Sequence, residues 1–209
     1  MPTIRTMQMM QSFVAISLFA AAVALAQAPK PIIENERVTV WDIKIPARTN
    51  MSLKEIDKRD TVIVSLDKDR LGEVEFRPRD SGGGIRNSKL EPARYVVIAL
   101  TDGKVPALPN KTGFQLAFER PGIKKIVDND RVNVWEYTWT KGAPTPMHFH
   151  DRDVTVVYLD DGALESTTPE GMKTVNDYKF GDVRFNKPDR THREEVIRGM
   201  QRAILTELK

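Results

Sequence analysis

Short apolar segments separated by turn residues run through the chain after its first 28 residues. Glu34 to Ile45 (ENERVTVWDIKI) and Asp128 to Trp139 (DNDRVNVWEYTW) are rich in β-branched and aromatic residues, which is typical of strands. Further apolar strands are predicted at Arg94–Leu100 and Arg202–Leu208. Helix signals are weak in this part of the chain. The pattern therefore predicts an all-β protein, a jelly-roll β-barrel with Gly and Pro turns.

The first two of these segments are copies of one another. Val38 and Trp41 recur 94 positions later as Val132 and Trp135. The same spacing carries Asn35, Arg37, Val40, Asp57, Thr61 and Val62 onto Asn129, Arg131, Val134, Asp151, Thr155 and Val156. Similarity at a fixed spacing indicates repeated structural units, so the sequence predicts an internal duplication.

Further along, the spacing between the copies increases. The segments LGEVEF and FGDVRF, which contain Gly72 and Gly181, lie 109 positions apart. The 15 additional residues predict a hairpin that only the second copy has, within Gly162–Phe180. Pro169 and Gly171 are its turn residues.

The copies differ at the positions that could carry chemistry. The second copy has His148 and His150, whereas the first has Lys54 and Ile56 at the equivalent positions. We therefore expect the first copy to keep the scaffold and to lack the ligands.

These observations divide the chain into three parts. Residues 1–28 form a predicted signal peptide, residues 29–105 a degenerate, ligand-free half, and residues 106–209 a complete domain with the candidate site. The connection between the halves contains FQLAFE, at Phe114–Glu119, which predicts one more strand.

The leader prediction rests on an apolar run, Phe13–Ala26, that follows Arg5 and precedes Ala28. The run is shorter than the about 20 residues of a membrane span, and its small residues fit an A-x-A cleavage site. An uncleaved anchor and a buried helix are the alternatives. Cleavage predicts a periplasmic or secreted bacterial protein, which would lack disulfides because the chain has no cysteine.

Charge and hydropathy limit the partners. The 32 Lys and Arg residues are interspersed with 29 Asp and Glu residues, and the net charge is only +3. No basic patch stands out, so the sequence gives no case for nucleic-acid binding. No run after the leader is apolar enough to cross a membrane. A small-molecule ligand is the expected partner, and a homodimer is compatible with the pattern.

The candidate chemistry lies in the three histidines of the chain. His148 and His150 are one residue apart in a predicted strand, where residues i and i+2 face the same side. Such a pair offers two imidazoles to one metal ion. His192 follows a second strand signal that a barrel could bring beside the first.

The segment around the histidine pair resembles the first motif of the cupin superfamily, G-x5-H-x-H-x(3,4)-E-x6-G. Gly142, His148, His150 and Gly162 stand at motif positions, and Thr155 stands where the motif has its glutamate. A lone H-x-H would be weak evidence, but a second motif follows in order.

The segment from Gly181 to His192 resembles the second cupin motif, G-D-x4-P-x-G-x2-H. The glycine-to-histidine spacing matches, whereas Pro188 is shifted by one position and Asp189 replaces the inner glycine. The resemblance covers roughly residues 125–209 and implies a cupin jelly roll with a cupin-like N-terminal copy.

The resemblance further implies one divalent transition metal, Fe, Mn, Zn or Ni, held by His148, His150 and His192. With Thr155 in place of the glutamate, the expected site has three neutral ligands and open positions for an anionic substrate. Asp153 could supply a carboxylate, hydrogen-bond a ligand imidazole, or face solvent.

The expected function is that of an exported metalloenzyme, resembling a cupin dioxygenase, that acts on a small carboxylate-bearing molecule. An isomerase is a further option within the superfamily, and no catalytic acid or base is identified. The alternative is a non-catalytic cupin that binds a small ligand or a structural metal.

Other residues near the motifs have both functional and structural interpretations. Trp135, Tyr137 and Trp139 share one strand face and could line a pocket, but core or subunit-interface packing is favoured because Trp41 recurs in the ligand-free copy. Glu194 and Glu195 follow His192, and one of them could orient an imidazole.

Overall fold

The computed structural model describes residues 30–54 and 56–209. The predicted signal peptide lies outside this range. Within it, no helix is long and apolar enough to span a membrane. Two short 3-10 helices, Lys68–Arg70 and Ala117–Glu119, interrupt an otherwise β-structured chain. The strands are β1 Ile33–Glu34, β2 Val38–Ile45, β3 Thr49–Ser52, β4 Thr61–Ser65, β5 Val74–Arg77, β6 Gly84–Asn87, β7 Ala93–Leu100, β8 Gln115–Leu116, β9 Lys124–Asp128, β10 Val132–Trp139, β11 His148–His150, β12 Val154–Tyr158, β13 Gly162–Thr167, β14 Lys173–Tyr178, β15 Val183–Asn186, β16 Arg190–Gly199 and β17 Gln201–Leu208.

The strands form sheets that stack through three apolar cores. The N-terminal sheet has the order β1-β2-β7-β4-β5, and the central sheet has the order β9-β10-β17-β12-β15. The outer sheet of the C-terminal half has the order β14-β13-β16-β11-β8, and β3 pairs with β6 on the far side of the N-terminal half. The all-β prediction is therefore confirmed.

The strands of the N-terminal and central sheets bury side chains on both faces. Along β10, for example, Val132 and Val134 pack against the N-terminal sheet, whereas Trp135 packs into the C-terminal barrel. On β2, Val38 and Val40 meet the same shared core, and Trp41 points into the N-terminal half. Sheets packed in this way remove apolar area from water on both sides, and each Å² buried stabilises the fold by about 25 cal/mol.

The N-terminal and central sheets share one strand order and closely similar registers. Val38 lies opposite Leu100 in the first, and Val132 lies opposite Leu208 in the second. The additional hairpin of the second half is present as predicted, because β13 pairs with β14 along its whole length.

Two buried ion pairs join the halves in a reciprocal way. Arg37 of the N-terminal half lies 2.9 Å from Asp153 of the C-terminal half, and their side chains are only 6% and 9% exposed. Arg131 of the C-terminal half lies 3.0 Å from Asp60 of the N-terminal half. Arg37 and Arg131 stand 94 positions apart, so corresponding arginines cross the interface in opposite directions.

The connection between the halves differs from its sequence prediction. FQLAFE was expected to form a strand, but only Gln115–Leu116 is extended, and Ala117–Glu119 forms a 3-10 turn. The backbone of Leu116 donates to the Glu119 carboxylate, which favours the turn. The short strand β8 runs parallel to β11 and joins the outer sheet.

Removing the carboxylate of Asp153 would leave the Arg37 guanidinium buried without its partner. We expect Asp153→Ala to lower the free energy of unfolding by about 3–5 kcal/mol in urea denaturation. Glu73→Ala is the matched control, because Glu73 pairs with Arg70 at 2.7 Å but both side chains are more than half exposed. That control should cost at most about 1 kcal/mol. Equal losses in the two variants would contradict a structural role for the buried pair.

Candidate metal centre

The three histidines meet where β11 and β16 pair. These strands are antiparallel, and His148 lies directly opposite His192. His150 is two residues further along β11 and therefore faces the same side. Their ligand nitrogens all lie within 4.8 Å of one another. The fold thus brings together the three residues that the sequence separates by up to 44 positions.

Hydrogen bonds orient the imidazole rings. Nδ1 of His148 donates to the Pro146 carbonyl oxygen at 2.8 Å, so Nε2 carries the lone pair. Nδ1 of His192 contacts the Ser166 hydroxyl at 3.1 Å, and its Nε2 lies 3.2 Å from Nε2 of His150. These contacts turn the Nε2 atoms toward a common point. The ligand atoms of a metal centre must converge in this way.

The site holds its imidazoles in the neutral form that binds metal. Burial, together with the charge of Arg120, lowers the pKa of His148 to about 3. Burial and the charge of Arg190 hold the pKa of His150 well below its usual range. The pKa of His192 is lowered by burial, against the opposing charge of Glu194. Protons therefore compete little with a metal ion near neutral pH.

A buried arginine reaches the triad from the connection between the halves, and the sequence analysis missed it. Arg120 follows the 3-10 turn and is only 2% exposed. Its Nη1 lies 3.2 Å from Nε2 of His148, and its guanidinium carbon lies 4.1 Å from the ring centroid of Tyr137. Burial lowers the pKa of Arg120, but an arginine stays charged in proteins.

Thr155 does not face the histidines, contrary to its predicted place beside the metal. Along β12, Val154 and Val156 belong to the core inside the C-terminal barrel, whereas Val157 belongs to the core between the halves. Because side chains alternate along a strand, Thr155 lies on the same face as Val157, which points toward the N-terminal half. The inward position is held by Val154, which lines one cavity with His150 and His192.

Asp153 is likewise not part of the centre. Its carboxylate forms the buried ion pair with Arg37, and the candidate cluster among the described residues contains histidines only. The carboxylate that does approach the site is that of Glu194. It accepts a hydrogen bond from the indole of Trp139 at 3.0 Å. Burial alone would raise the pKa of Glu194, but the neighbouring His192, Arg120 and His148 and this hydrogen bond lower it.

The aromatic face of β10 is part of the core, which is one of the two kinds of packing favoured from the sequence. Trp135, Tyr137 and Trp139 are each at most 9% exposed and pack inside the C-terminal barrel. Tyr137 and Trp139 also contact the guanidinium of Arg120. They therefore form part of the wall around the site as well as part of the core.

The N-terminal half has apolar packing in place of a second centre. Ile56, which aligns with His150, is 8% exposed and packs in a core with Leu53 and Trp41. Lys54, which aligns with His148, is exposed. No second candidate metal cluster occurs in residues 30–54 and 56–209.

Besides the cavity lined by Val154, two larger spaces flank His192. A cleft of about 560 Å³ is lined by Phe114 from the connection and by Ser166 and Arg190, among others. A second space of about 270 Å³ is lined by Tyr158 and again by Arg190. A small molecule could therefore reach the triad from the surface, between the connection and the additional hairpin.

Comparison with solved structures identifies the architecture. The chain is similar to a putative glyoxylate-induced protein from Pseudomonas aeruginosa, with a TM-score of 0.59 and 13% identity over 83% of this chain and 75% of that one. It is also similar to salicylate 1,2-dioxygenase from Pseudoaminobacter salicylatoxidans in complex with gentisate, with a TM-score of 0.55 and 9% identity over 82% and 68% of the two chains. Both are cupin proteins. The chain has the cupin fold.

The sequence comparisons are more local. A segment of 45 residues is 49% identical to the β-alanine degradation protein BauB of Pseudomonas aeruginosa. The match spans 22% of this chain and 47% of the length of BauB. No protein-family model matches the chain. The expected resemblance to the cupins is thus confirmed by structure.

One departure from the cupin motifs has a clear conformational basis. Asp189 stands where the second motif has glycine, and its φ is +62°. Aspartate is one of the few residues other than glycine that adopt this left-handed region with ease. The strand β16 begins at Arg190 and carries His192. The turn before this strand therefore keeps its conformation without the glycine.

The faces of β12 can be tested with two neighbouring glutamate substitutions. Val154→Glu should place a carboxylate inside the cupin barrel and tighten zinc binding by about tenfold, which corresponds to about 1.4 kcal/mol. Thr155→Glu should bury an unpaired carboxylate between the halves and lower stability by several kcal/mol. Zinc affinity is measured by competition with a chelator, and stability by urea unfolding. Tighter zinc binding in Thr155→Glu alone would contradict the assigned faces.

Proposed function

We propose that this cupin-fold protein is a mononuclear metalloprotein in which His148, His150 and His192 bind one divalent transition-metal ion. The observation that carries the proposal is the convergence of three neutral imidazoles, with ligand nitrogens within 4.8 Å of one another. The donor set fits Fe, Mn, Ni or Zn, because imidazole nitrogen suits borderline metal ions. Three ligands leave coordination positions for a small molecule.

We further propose a dioxygenase-like activity on a small carboxylate-bearing molecule. Salicylate 1,2-dioxygenase, which shares the fold, was solved in complex with gentisate, and this likeness supports the reaction class by analogy only. The electrostatics of the barrel support the substrate class. Arg120 is buried and Arg190 is half-buried beside the triad, and both favour an anion there.

The protein residues would contribute orientation and exclusion of water. A bound ion would act as a Lewis acid that polarises its ligand. Val154 and Val156 form an apolar wall of the inner cavity, the small space among Arg120, His150 and His192. Burial holds the pKa of Tyr158 well above its usual value, so its hydroxyl stays protonated, and it hydrogen-bonds to Tyr178. The cationic arginines would hold the carboxylate.

A non-catalytic binding protein is the second candidate, and the lack of a free general base favours it. Glu194 is the carboxylate that lines the inner cavity, and it is already engaged with Trp139. The imidazoles are required as ligands. Proton transfer would therefore need a group from the substrate or from solvent.

The metal proposal is tested by elemental analysis of purified protein. We expect about one equivalent of metal in the wild type, and a loss of at least tenfold in metal affinity in His148→Ala and in His192→Ala, because each removes one of three ligands. Thr155→Ala is the matched control and should keep its metal, since Thr155 faces the other core. Full metal content in both histidine variants would refute the metal centre.

The choice between enzyme and binding protein requires a second measurement. Oxygen consumption by iron-loaded protein is recorded with a panel of small carboxylic acids, and calorimetry records their binding. Turnover that is lost in His192→Ala supports the dioxygenase. Saturable binding without oxygen consumption supports the binding protein instead.

We also propose that the two halves arose by internal duplication and that the protein is exported. The shared strand order and the reciprocal Arg37–Asp153 and Arg131–Asp60 pairs support the first proposal. The apolar run Phe13–Ala26 supports the second. N-terminal sequencing of protein from the periplasm or medium should begin near Gln27 or Pro29. An intact Met1 on membrane-bound protein would contradict cleavage.

A further inference from the structure

Arg120 has more hydrogen-bonding capacity than the protein uses. A guanidinium carries five N–H donors. Nη1 contacts Nε2 of His148, whereas Nε and Nη2 are buried and have no hydrogen-bond partner among the described residues. The rings of Tyr137 and Trp139 hold the group in place, with 4.1 and 5.7 Å between the guanidinium carbon and the ring centroids. Arg120 is thus fixed in position with donors left over.

The charge of Arg120 is only partly balanced. Among residues 30–54 and 56–209, Glu194 is the carboxylate whose charge acts on Arg120, but its hydrogen bond comes from Trp139 instead. Arg190 adds a second positive charge to the same cavity. Burying positive charge that is incompletely paired lowers stability. A small anion from solution would supply both the missing charge and the missing acceptors.

The contact with His148 makes this anion site depend on the metal. Because Nδ1 of His148 donates to Pro146, its Nε2 lone pair accepts from Arg120. A metal ion needs the same lone pair. The ion and the guanidinium are also both cations, so they repel each other at short range. Metal binding at His148 must therefore free Nη1.

We propose that Arg120 forms an anion site that becomes available when a metal ion takes Nε2 of His148, and that a small carboxylate binds there beside the ion. The inference rests on the proposed metal centre and adds the residue that selects the ligand. In the metal-free protein, Nη1 of Arg120 occupies the lone pair on Nε2 of His148 that the metal ion would bind. In the metal-bound protein, the fork of Nη1 and Nη2 matches the two oxygens of a carboxylate.

The space around the site sets the size of the ligand. The inner cavity, which Arg120 lines, measures only about 20 Å³, about the space of one water molecule, so only the carboxylate end of a ligand can approach Arg120 there. The adjacent space of about 270 Å³ can hold the rest of a small acid, and five residues line both spaces: Tyr158, Asn186, Arg190, His192 and Glu194. The ligand class is thus a small carboxylic acid that enters with its carboxylate first.

The coupling is measured by calorimetric titration of zinc into chelator-treated protein, with and without acetate at constant ionic strength. We expect acetate to raise the zinc affinity of the wild type by about tenfold, within the usual range of coupling between sites. Linkage requires zinc to raise the acetate affinity by the same factor. Acetate should therefore bind the metal-free protein about tenfold more weakly than it binds the zinc-bound protein.

Arg120→Gln is the decisive variant. It should abolish the effect of acetate, while its zinc affinity without acetate should equal or exceed that of the wild type, because a competitor for His148 is gone. A merely structural role for Arg120 would instead lower the zinc affinity. Arg120→Lys should keep a smaller coupling, since an ammonium lacks the fork. Arg59→Gln, which removes an arginine stacked on Trp41 of the ligand-free half, should behave like the wild type.

The outcomes separate this inference from the metal centre. An equal acetate effect in Arg120→Gln and the wild type, or a lower zinc affinity of Arg120→Gln without acetate, would overturn the anion site and leave the metal centre standing. Absence of zinc binding in the wild type would overturn both. Thermal unfolding of each variant confirms that it is folded before titration.

Discussion

The packing of the N-terminal sheet on the central sheet is the constraint on which the rest of the structure depends. The central strands β10, β12 and β17 bury both faces, so the apolar side chains of one face have no cover without the N-terminal half. The pairs Arg37–Asp153 and Arg131–Asp60 flank this interface and specify its alignment. The N-terminal half is therefore necessary although it lacks the ligands. It covers one face of the central sheet, and the other face of that sheet encloses the candidate centre.

The centre itself draws on parts of the chain that are far apart. The strand β11 supplies two histidines, and β16 supplies the third. The parallel strand β8 pairs with β11 on its other side and places Arg120 against His148. The connection between the halves is thus a component of the site as well as a linker. Its short 3-10 turn, where a strand was predicted, is what brings Arg120 inward.

The histidines could be predicted from the sequence because the two-residue period of a strand is enough to align His148 with His150. Which face of β12 points toward the histidines could not be predicted, because it depends on a difference of one residue in the length of the loop before this strand. The structure places Val62 opposite Ile98 and Phe76, and Thr155 opposite Thr206 and Phe185. The halves therefore correspond here at a spacing of 93 rather than 94 positions. A shift of one residue exchanges the two faces of a strand, which is why Val154 points inward and Thr155 does not. Arg120 had no sequence signal, since an isolated arginine in a connection looks like a surface residue.

The charge distribution of the barrel favours an anionic ligand beside the proposed metal ion over a purely structural metal centre. The three imidazoles are neutral, and the inner cavity adds two arginines, Arg120 and Arg190, against the single carboxylate of Glu194. A divalent ion would increase this excess of positive charge in a region of low dielectric constant. A structural site has no need for such an imbalance, because neutral or anionic ligands would hold the ion at lower cost. The imbalance is instead the condition under which an anionic ligand binds strongly, and the chain leaves both the charge and the free donors for that ligand to satisfy.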